Sequence, residues 1–186
     1  MRAVELVERA ARGDADAFDL LMSESLDRLY AIARLILRDV DLAEDAVQEA
    51  FIHCWRELPR LRDPERFDAW LQRLLVNAAM DQDRRRRRYR AIVSVIPAPP
   101  VHRDFATDMA MADELRIAFE RLRLEHRVVL VMHHFLELSA VEIADMLEVP
   151  PGTVKSRLHY AAIAMRAAVD AGARQPVLPT TAERER

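Results

Sequence analysis

Two stretches of this sequence carry side chains that are suited to binding nucleic acid. Five consecutive arginines occupy positions 84–88, and a polar stretch further on contains Lys155, Ser156, His159 and Tyr160. Arginine and lysine bind phosphate by releasing condensed counterions, whatever the base sequence. Amine, hydroxyl and imidazole groups on one helix face can contact base edges in the major groove. These side chains therefore indicate DNA binding, provided that helices present them.

Residues 138–166 have the pattern of a helix-turn-helix. Ser139 and Glu142 predict a capping box that opens its first helix. A Pro-Pro-Gly corner follows, and apolar residues then recur at helical spacing along a second helix, at Val154, Leu158, Ala161, Ala162 and Met165. One face of this helix is therefore predicted to be buried, and the polar face at its start fits the major groove.

The composition predicts an all-α protein located in the cytoplasm. Of 186 residues, 51% are hydrophobic and only 3 are glycine, while helix-forming Ala, Leu, Arg and Glu are abundant. The net charge of −3 excludes a uniformly basic coat but allows an uneven charge distribution.

Cys54 is the only cysteine, which excludes an internal disulfide and a cysteine-based zinc site, and we expect no metal and no cofactor. No apolar run approaches the roughly 20 residues that span a bilayer, so we expect no membrane insertion.

Apolar periodicity predicts two small helical domains, a four-helix domain and a helix-turn-helix domain. The four helices of the first are expected at about 4–11, 14–38, 41–58 and 67–83, the last running on into the arginines. Asp41 and Glu44 predict a capping box for the third helix.

A proline-rich segment predicts the boundary between the domains. Pro97, Pro99 and Pro100 prevent a continuous helix and favour an extended chain. We therefore predict domains at 1–91 and 109–172, with a linker over 92–108 and a disordered tail over 173–186.

Two blocks of the sequence resemble the same protein family. DLAEDAVQEAF at 41–51, followed by FDAWLQRLLVNAAMDQDRRRRR at 67–88, resembles the second conserved region of bacterial RNA polymerase sigma factors of the extracytoplasmic-function group. Residues 127–166 resemble the fourth region. A helix-turn-helix alone would be weak evidence, but both blocks occur in the family's order and across a proline-rich linker. The resemblance covers about residues 1–170 and implies a sigma factor that binds core RNA polymerase, directs it to promoters and helps melt them.

The resemblance gives roles to polar residues of the first domain. Asp45, Gln48 and Glu49 would form an exposed face that docks on the clamp helices of the polymerase large subunit; otherwise they are ordinary solvated side chains. Asn77 and Asp81 match positions that bind the downstream promoter element (−10). Asn77 can donate and accept toward an unstacked base, or it could bond within the protein. Asp81 could instead orient neighbouring arginines, because phosphate repels a carboxylate.

The basic run at the end of the fourth helix would contact DNA phosphates, or would be a solvated helix end; it comprises Arg84, Arg85, Arg86, Arg87 and Arg88. Trp70 could stack on a base, but it shares an apolar stripe with Phe67 and Leu74. We therefore expect Trp70 in the core.

In the second domain, the matching positions are those of the recognition helix for the upstream promoter element (−35): Thr153, Lys155, Ser156, Arg157, His159 and Tyr160. Lys155 and Ser156 would lie near bases. Arg157 borders the apolar stripe and would bind phosphate or form a salt bridge within the domain. Thr153 would cap the helix or contact phosphate.

The sequence departs from the family at the corner of the helix-turn-helix. Glu148 stands where glycine is common and would need a positive φ angle. Pro151 partly offsets this strain by presetting φ at the first helical position. Glu137 likewise replaces the usual glycine before the first helix.

The resemblance also implies partners: the clamp helices and flap of core RNA polymerase, promoter DNA and often an anti-sigma factor. The main alternative is an autonomous dimeric helix-turn-helix repressor, which would need a self-complementary interface and two half-sites. A metal-dependent nuclease is disfavoured because no ligands converge by spacing, and His133 and His134 point about 100° apart on one helix. We therefore expect a protein that is not an enzyme.

Overall fold

The computed structural model describes residues 3–92 and 113–172, and the regular secondary structure within these ranges is all helical. Most of the predicted linker, the start of the second domain and the predicted tail lie outside the described residues. Two short 3-10 helices, Leu58–Arg60 and Pro64–Arg66, join the third and fourth of the α-helices. The α-helices are α1 Ala3–Ala11, α2 Ala15–Leu37, α3 Val40–Glu57, α4 Phe67–Ile92, α5 Asp113–Arg121, α6 Leu124–His134, α7 Ala140–Leu147 and α8 Pro151–Gly172.

The start of α3 corrects the prediction that Asp41 and Glu44 form its capping box. Asp39 is the N-cap, and its side chain accepts from the Leu42 N–H at 3.2 Å. Asp39 has the extended backbone that an N-cap needs, with φ −142° and ψ 127°, whereas Asp41 already lies in the first helical turn.

Helices α2, α3 and α4 enclose the core of the first half of the chain. Leu29 and Ile36 of α2 and Leu71 and Leu75 of α4 are fully buried in one apolar cluster. Alanines on the buried face of α3 let its neighbours approach closely, because they add little volume; they are Ala43, Ala46 and Ala50. As predicted, α4 continues through the arginines without a break.

Helices α6, α7 and α8 form the helix-turn-helix group. The predicted capping box opens α7: Glu142 accepts from the Ser139 N–H at 2.8 Å, and Ser139 accepts from the Glu142 N–H at 3.2 Å. Val154 of α8 is buried in the core that α6 and α7 share, and Ala161 is also buried, although Ala162, predicted on the same stripe, is exposed. No helix of the described ranges is sufficiently long and apolar to cross a bilayer.

Candidate nucleic-acid interface

The start of α8 presents the polar side chains that the sequence predicted for DNA. Lys155, Ser156 and His159 are exposed, while Thr153 and Arg157 are half-buried. The Ser156 hydroxyl donates to the Thr153 carbonyl at 2.9 Å. Because this bond uses the hydroxyl hydrogen, Ser156 faces solvent as a hydrogen-bond acceptor.

Tyr160 is held in place by two histidine rings. Its ring lies 5.8 Å from that of His159 and stacks at 6.5 Å and 26° on that of His126 in α6. Tyr160 is still 59% exposed, so much of this residue remains open to solvent. His126 could not be predicted as part of this site, because the stacking depends on how α6 packs against α8.

The corner between α7 and α8 has the strained geometry predicted for Glu148. This residue is left-handed, with φ 54°, and its N–H donates to the Ala144 carbonyl, which closes α7. A left-handed conformation costs a residue other than glycine about 1 kcal/mol. Pro151 is the first residue of α8, as predicted. The Glu148 side chain forms an ion pair with Arg73 of α4.

The exposed side chain of Asn77 lies in a cleft of about 400 Å³ beside α3. Half-buried Trp70 and Leu74 supply its apolar wall. The polar wall includes Asp81 and Glu49. Trp70 packs against the core, as expected, with its ring 6.1 Å from that of Phe67, but it also lines this cleft. The cleft therefore combines an amide with apolar surface, which is what a captured base requires.

Four of the five arginines at 84–88 form ion pairs with carboxylates. Arg84 pairs with Asp81, and Arg85 forms two bonds with Glu49, at 3.0 and 3.2 Å. Arg86 and Arg87 both bond to Asp83, at 2.9 and 2.5 Å. The pairing of Asp81 with Arg84 agrees with the alternative role foreseen for Asp81, the orientation of arginines.

Asp83 is a site residue that the sequence analysis missed. Its side chain is only 4% exposed, although it lies within a highly charged run. A buried carboxylate needs cations and hydrogen bonds to replace lost water. Asp83 obtains them from Arg86 and Arg87, and it thereby fixes both guanidinium groups. The available sequence signal was an acidic residue three and four positions before arginines on a helix.

The face of α3 that the sequence analysis assigned to a protein partner is less polar than predicted. An open groove of about 570 Å³ between α2 and α3 is lined mainly by Phe18, Leu26, Tyr30, Val47, Phe51, Ile52 and Trp55. Trp55 is 46% exposed, and its ring meets that of Phe18 edge to face at 4.8 Å. Gln48 lines this groove and Asp45 is exposed. Glu49 differs from the prediction, because it is half-buried and turned toward α4.

Comparison with known proteins gives the family. Sigma-70 region 2 matches residues 21–89, and Sigma-70, region 4 matches residues 112–165. The RNA polymerase sigma-H factor of Pseudomonas aeruginosa is 33% identical over 187 residues, which cover 94% of each chain. The chain belongs to the sigma-70 family, in its extracytoplasmic-function group.

Two further comparisons agree that this chain is a sigma factor. ECF RNA polymerase sigma factor SigW of Bacillus subtilis is 28% identical over 178 residues, covering 86% of this chain and 92% of its own. The structure of CnrH in complex with the cytosolic domain of CnrY superposes with a TM-score of 0.61 at 27% identity, covering 91% of this chain and 97% of CnrH. The sigma factor is therefore a transcription initiation factor that acts with core RNA polymerase on promoter DNA; it is neither an enzyme nor an autonomous repressor.

Proposed function

We propose that three surfaces of this sigma factor carry out promoter recognition with core polymerase. The groove between α2 and α3, which Gln48 lines, binds the clamp helices of the large subunit together with exposed Asp45. The cleft around Asn77 takes an unstacked base of the downstream element. The exposed start of α8, from Lys155 to Tyr160, binds the upstream element.

The observation that carries this proposal is the composition of the Asn77 cleft. Strand separation requires a site that receives a base after it leaves the stack, with hydrogen-bonding groups and apolar surface together. The cleft meets both requirements on the helix that also carries the arginines. Asn77 would bond to the base edge while Trp70 covers its face. Arg84 to Arg88 would bind the flanking phosphates, with Asp81 orienting Arg84.

The apolar groove supports a protein partner for the first domain, at a surface separate from the Asn77 cleft. Exposed aromatic residues contribute strongly to protein interfaces because they bury a large area at a low entropic cost. Trp55 is such a residue, and exposed Ile52 and Gln48 line the same groove. Glu49 contributes indirectly in this proposal, by holding Arg85.

The remaining assignments concern domain limits, location and regulation. We place the domains at 1–91 and 109–172, joined by the linker over 92–108, and we place the protein in the cytoplasm with its polymerase.

CnrH was solved with the cytosolic domain of CnrY, which supports a protein regulator of the anti-sigma kind for this chain. Such a regulator would cover the same polymerase-binding and DNA-binding faces.

Transcription with purified core polymerase tests the proposal. RNA 5′ ends made on overproduction would first identify a cognate promoter. Lys155→Ala should weaken use of the upstream element by about fivefold to a hundredfold, as a base contact of 1–3 kcal/mol implies, and should leave polymerase binding intact. Replacing Asp45 and Gln48 together by alanine should do the reverse. Equal loss of both activities in either variant, or tight specific DNA binding without polymerase, would contradict the proposal.

A further inference from the structure

The ring of Tyr160 in α8 is supported by a ring from another helix. It stacks on the ring of His126 in α6, with 6.5 Å between the centroids and 26° between the planes. His159, the preceding residue, meets the same ring edge to face at 5.8 Å. Stacked and edge-to-face pairs are both favourable for aromatic rings, at centroid distances of about 4.5–7 Å. Contacts from its own helix and from α6 therefore oppose rotation of this exposed side chain.

The first turn of α6 is a firm base for this contact. His126 is itself half-buried, and Val128, two residues further on, is buried in the core. The side chain of the next residue, Arg127, is buried and donates to the Leu122 carbonyl at 2.7 Å, just before the start of α6. Because the backbone around His126 is packed and hydrogen-bonded, its ring can limit the motion of Tyr160.

Tyr160 belongs to the surface that we propose for the upstream element. It lies four residues after Ser156, and His159 lies four residues after Lys155. Residues four apart share one face of a helix, so Tyr160 continues the row that begins with Ser156, about 6 Å further along α8. Its ring adds apolar surface to a helix face whose other groups are an amine, a hydroxyl and an imidazole.

The chemistry of this ring fits one feature of the major groove. Arginine or lysine on a recognition helix binds the O6 and N7 acceptors of guanine. Tyrosine carries no cation and offers mainly apolar surface, and the apolar group that base pairs present in the major groove is the C5-methyl group of thymine. A side chain that is already held in place loses little conformational freedom when it binds. The supported ring is therefore suited to pack against a thymine methyl group.

We propose that His126 is a positioning residue for promoter recognition, which holds the Tyr160 ring so that it reads a thymine of the upstream element through its C5-methyl group. The inference rests on the proposed function, because it requires that α8 binds this element. It adds a residue outside the helix-turn-helix to the determinants of specificity. It also assigns a base to Tyr160, which contacts the methyl group, whereas His126 acts only through Tyr160.

Replacing thymine by deoxyuridine tests the base contact, because it removes the methyl group and keeps the base pair. The probes are duplex promoters in which each thymine of the upstream element, on either strand, is replaced singly. Each competes with the unmodified promoter for a limiting amount of the holoenzyme formed by core polymerase and the full chain. We expect one replacement to weaken binding about fourfold, the effect of exposing one buried methyl group. An upstream element in which no replacement weakens binding, or which contains no A·T pair, would overturn the thymine contact.

Substitutions on the protein side show which residues the thymine effect depends on. Tyr160→Ala should abolish the effect, and Tyr160→Phe should retain it, because the ring remains. His126→Ala should reduce it toward none and weaken promoter binding about twofold to twelvefold, the effect of losing one aromatic pair. His126→Phe should restore both, because phenylalanine can stack on Tyr160. His134→Ala is the matched control, since it removes an exposed histidine of α6 that does not contact Tyr160.

Two results would overturn the positioning role of His126. One is a thymine effect that stays fourfold in His126→Ala. The other is a His126→Phe variant that binds as weakly as His126→Ala and lowers the salt slope of log affinity by about 0.9, because His126 would then bind phosphate itself. The proposed function fails in a different way: Lys155→Ala and Tyr160→Ala would both leave use of the upstream element unchanged. Circular dichroism should show that all variants are folded.

Discussion

Glu49 of α3 and Arg85 of α4 are joined by two parallel hydrogen bonds, Nη2 to Oε1 at 3.0 Å and Nη1 to Oε2 at 3.2 Å. Gln82 donates to the same carboxylate at 3.0 Å. Paired bonds between a guanidinium and a carboxylate are strong and directional. Arg85 can therefore offer all of its N–H groups to a DNA phosphate only when its bonds to Glu49 are broken. The helix proposed to bind polymerase and the helix proposed to bind DNA share this ion pair.

Glu49→Gln should raise the affinity of the sigma factor for duplex DNA and steepen its dependence on salt. Freeing one arginine for phosphate adds about 0.9 to the slope of log affinity against log salt concentration. Fluorescence anisotropy over a salt series measures both quantities. Asp45→Asn is the control, since it removes one negative charge from an exposed position of the same helix. An equal change in both variants would show that net charge, and not the release of Arg85, is responsible.

Asn77→Ala should reduce open-complex formation by about twofold to twelvefold, the effect of losing one hydrogen bond of about 0.5–1.5 kcal/mol. Permanganate reactivity of unpaired thymines in polymerase complexes measures it. Polymerase affinity should not change, because the Asn77 cleft and the groove between α2 and α3 are separate. The control is Asp68→Ala, at an exposed position of the same helix that does not line the cleft. Promoter melting with this variant should be normal. Normal melting in Asn77→Ala would exclude this residue from base capture.

Local features of the fold could be predicted from the sequence, because neighbouring residues determine them. The capping box of Ser139 and Glu142, the positive φ of Glu148 and the start of α8 at Pro151 all depend on residues within one or two turns. The correction at α3 has a local cause too. Asp39 and Asp41 are both good caps, and the sequence alone does not determine which of them remains outside the helix.

Features that depend on helix packing could not be predicted in this way. The charged run at the end of α4 gave no indication that Asp83 is buried, because its burial requires the helices that cover it. The bond that Arg38 donates to the Glu120 carbonyl requires α5 to end beside α2. The groove could have been predicted, since Ile52 and Trp55 are apolar residues on the otherwise polar side of α3.

Trp55→Ala should weaken binding to core polymerase by about 2–4 kcal/mol, if Trp55 is a central contact of that interface. Competition with a labelled sigma factor for core polymerase measures the change. Leu20→Ala is the control, since Leu20 is also exposed, at 40%, but does not line the groove. Circular dichroism should show that both variants are folded. Equal and small effects of the two substitutions would remove the groove from the polymerase interface.

Asp83→Asn should destabilise the sigma factor by about 3 kcal/mol, because breaking a buried ion pair leaves its cations without compensation. The largest loss of ion pairing should be at Arg86, since its side chain is only 26% exposed and its other ion pair, to Asp39, is longer at 3.8 Å. Urea unfolding measures the loss. Asp81→Asn breaks the more exposed pair with Arg84 and should cost less than about 1 kcal/mol. Equal losses in the two variants would show that burial of Asp83 does not strengthen its hold on the arginines.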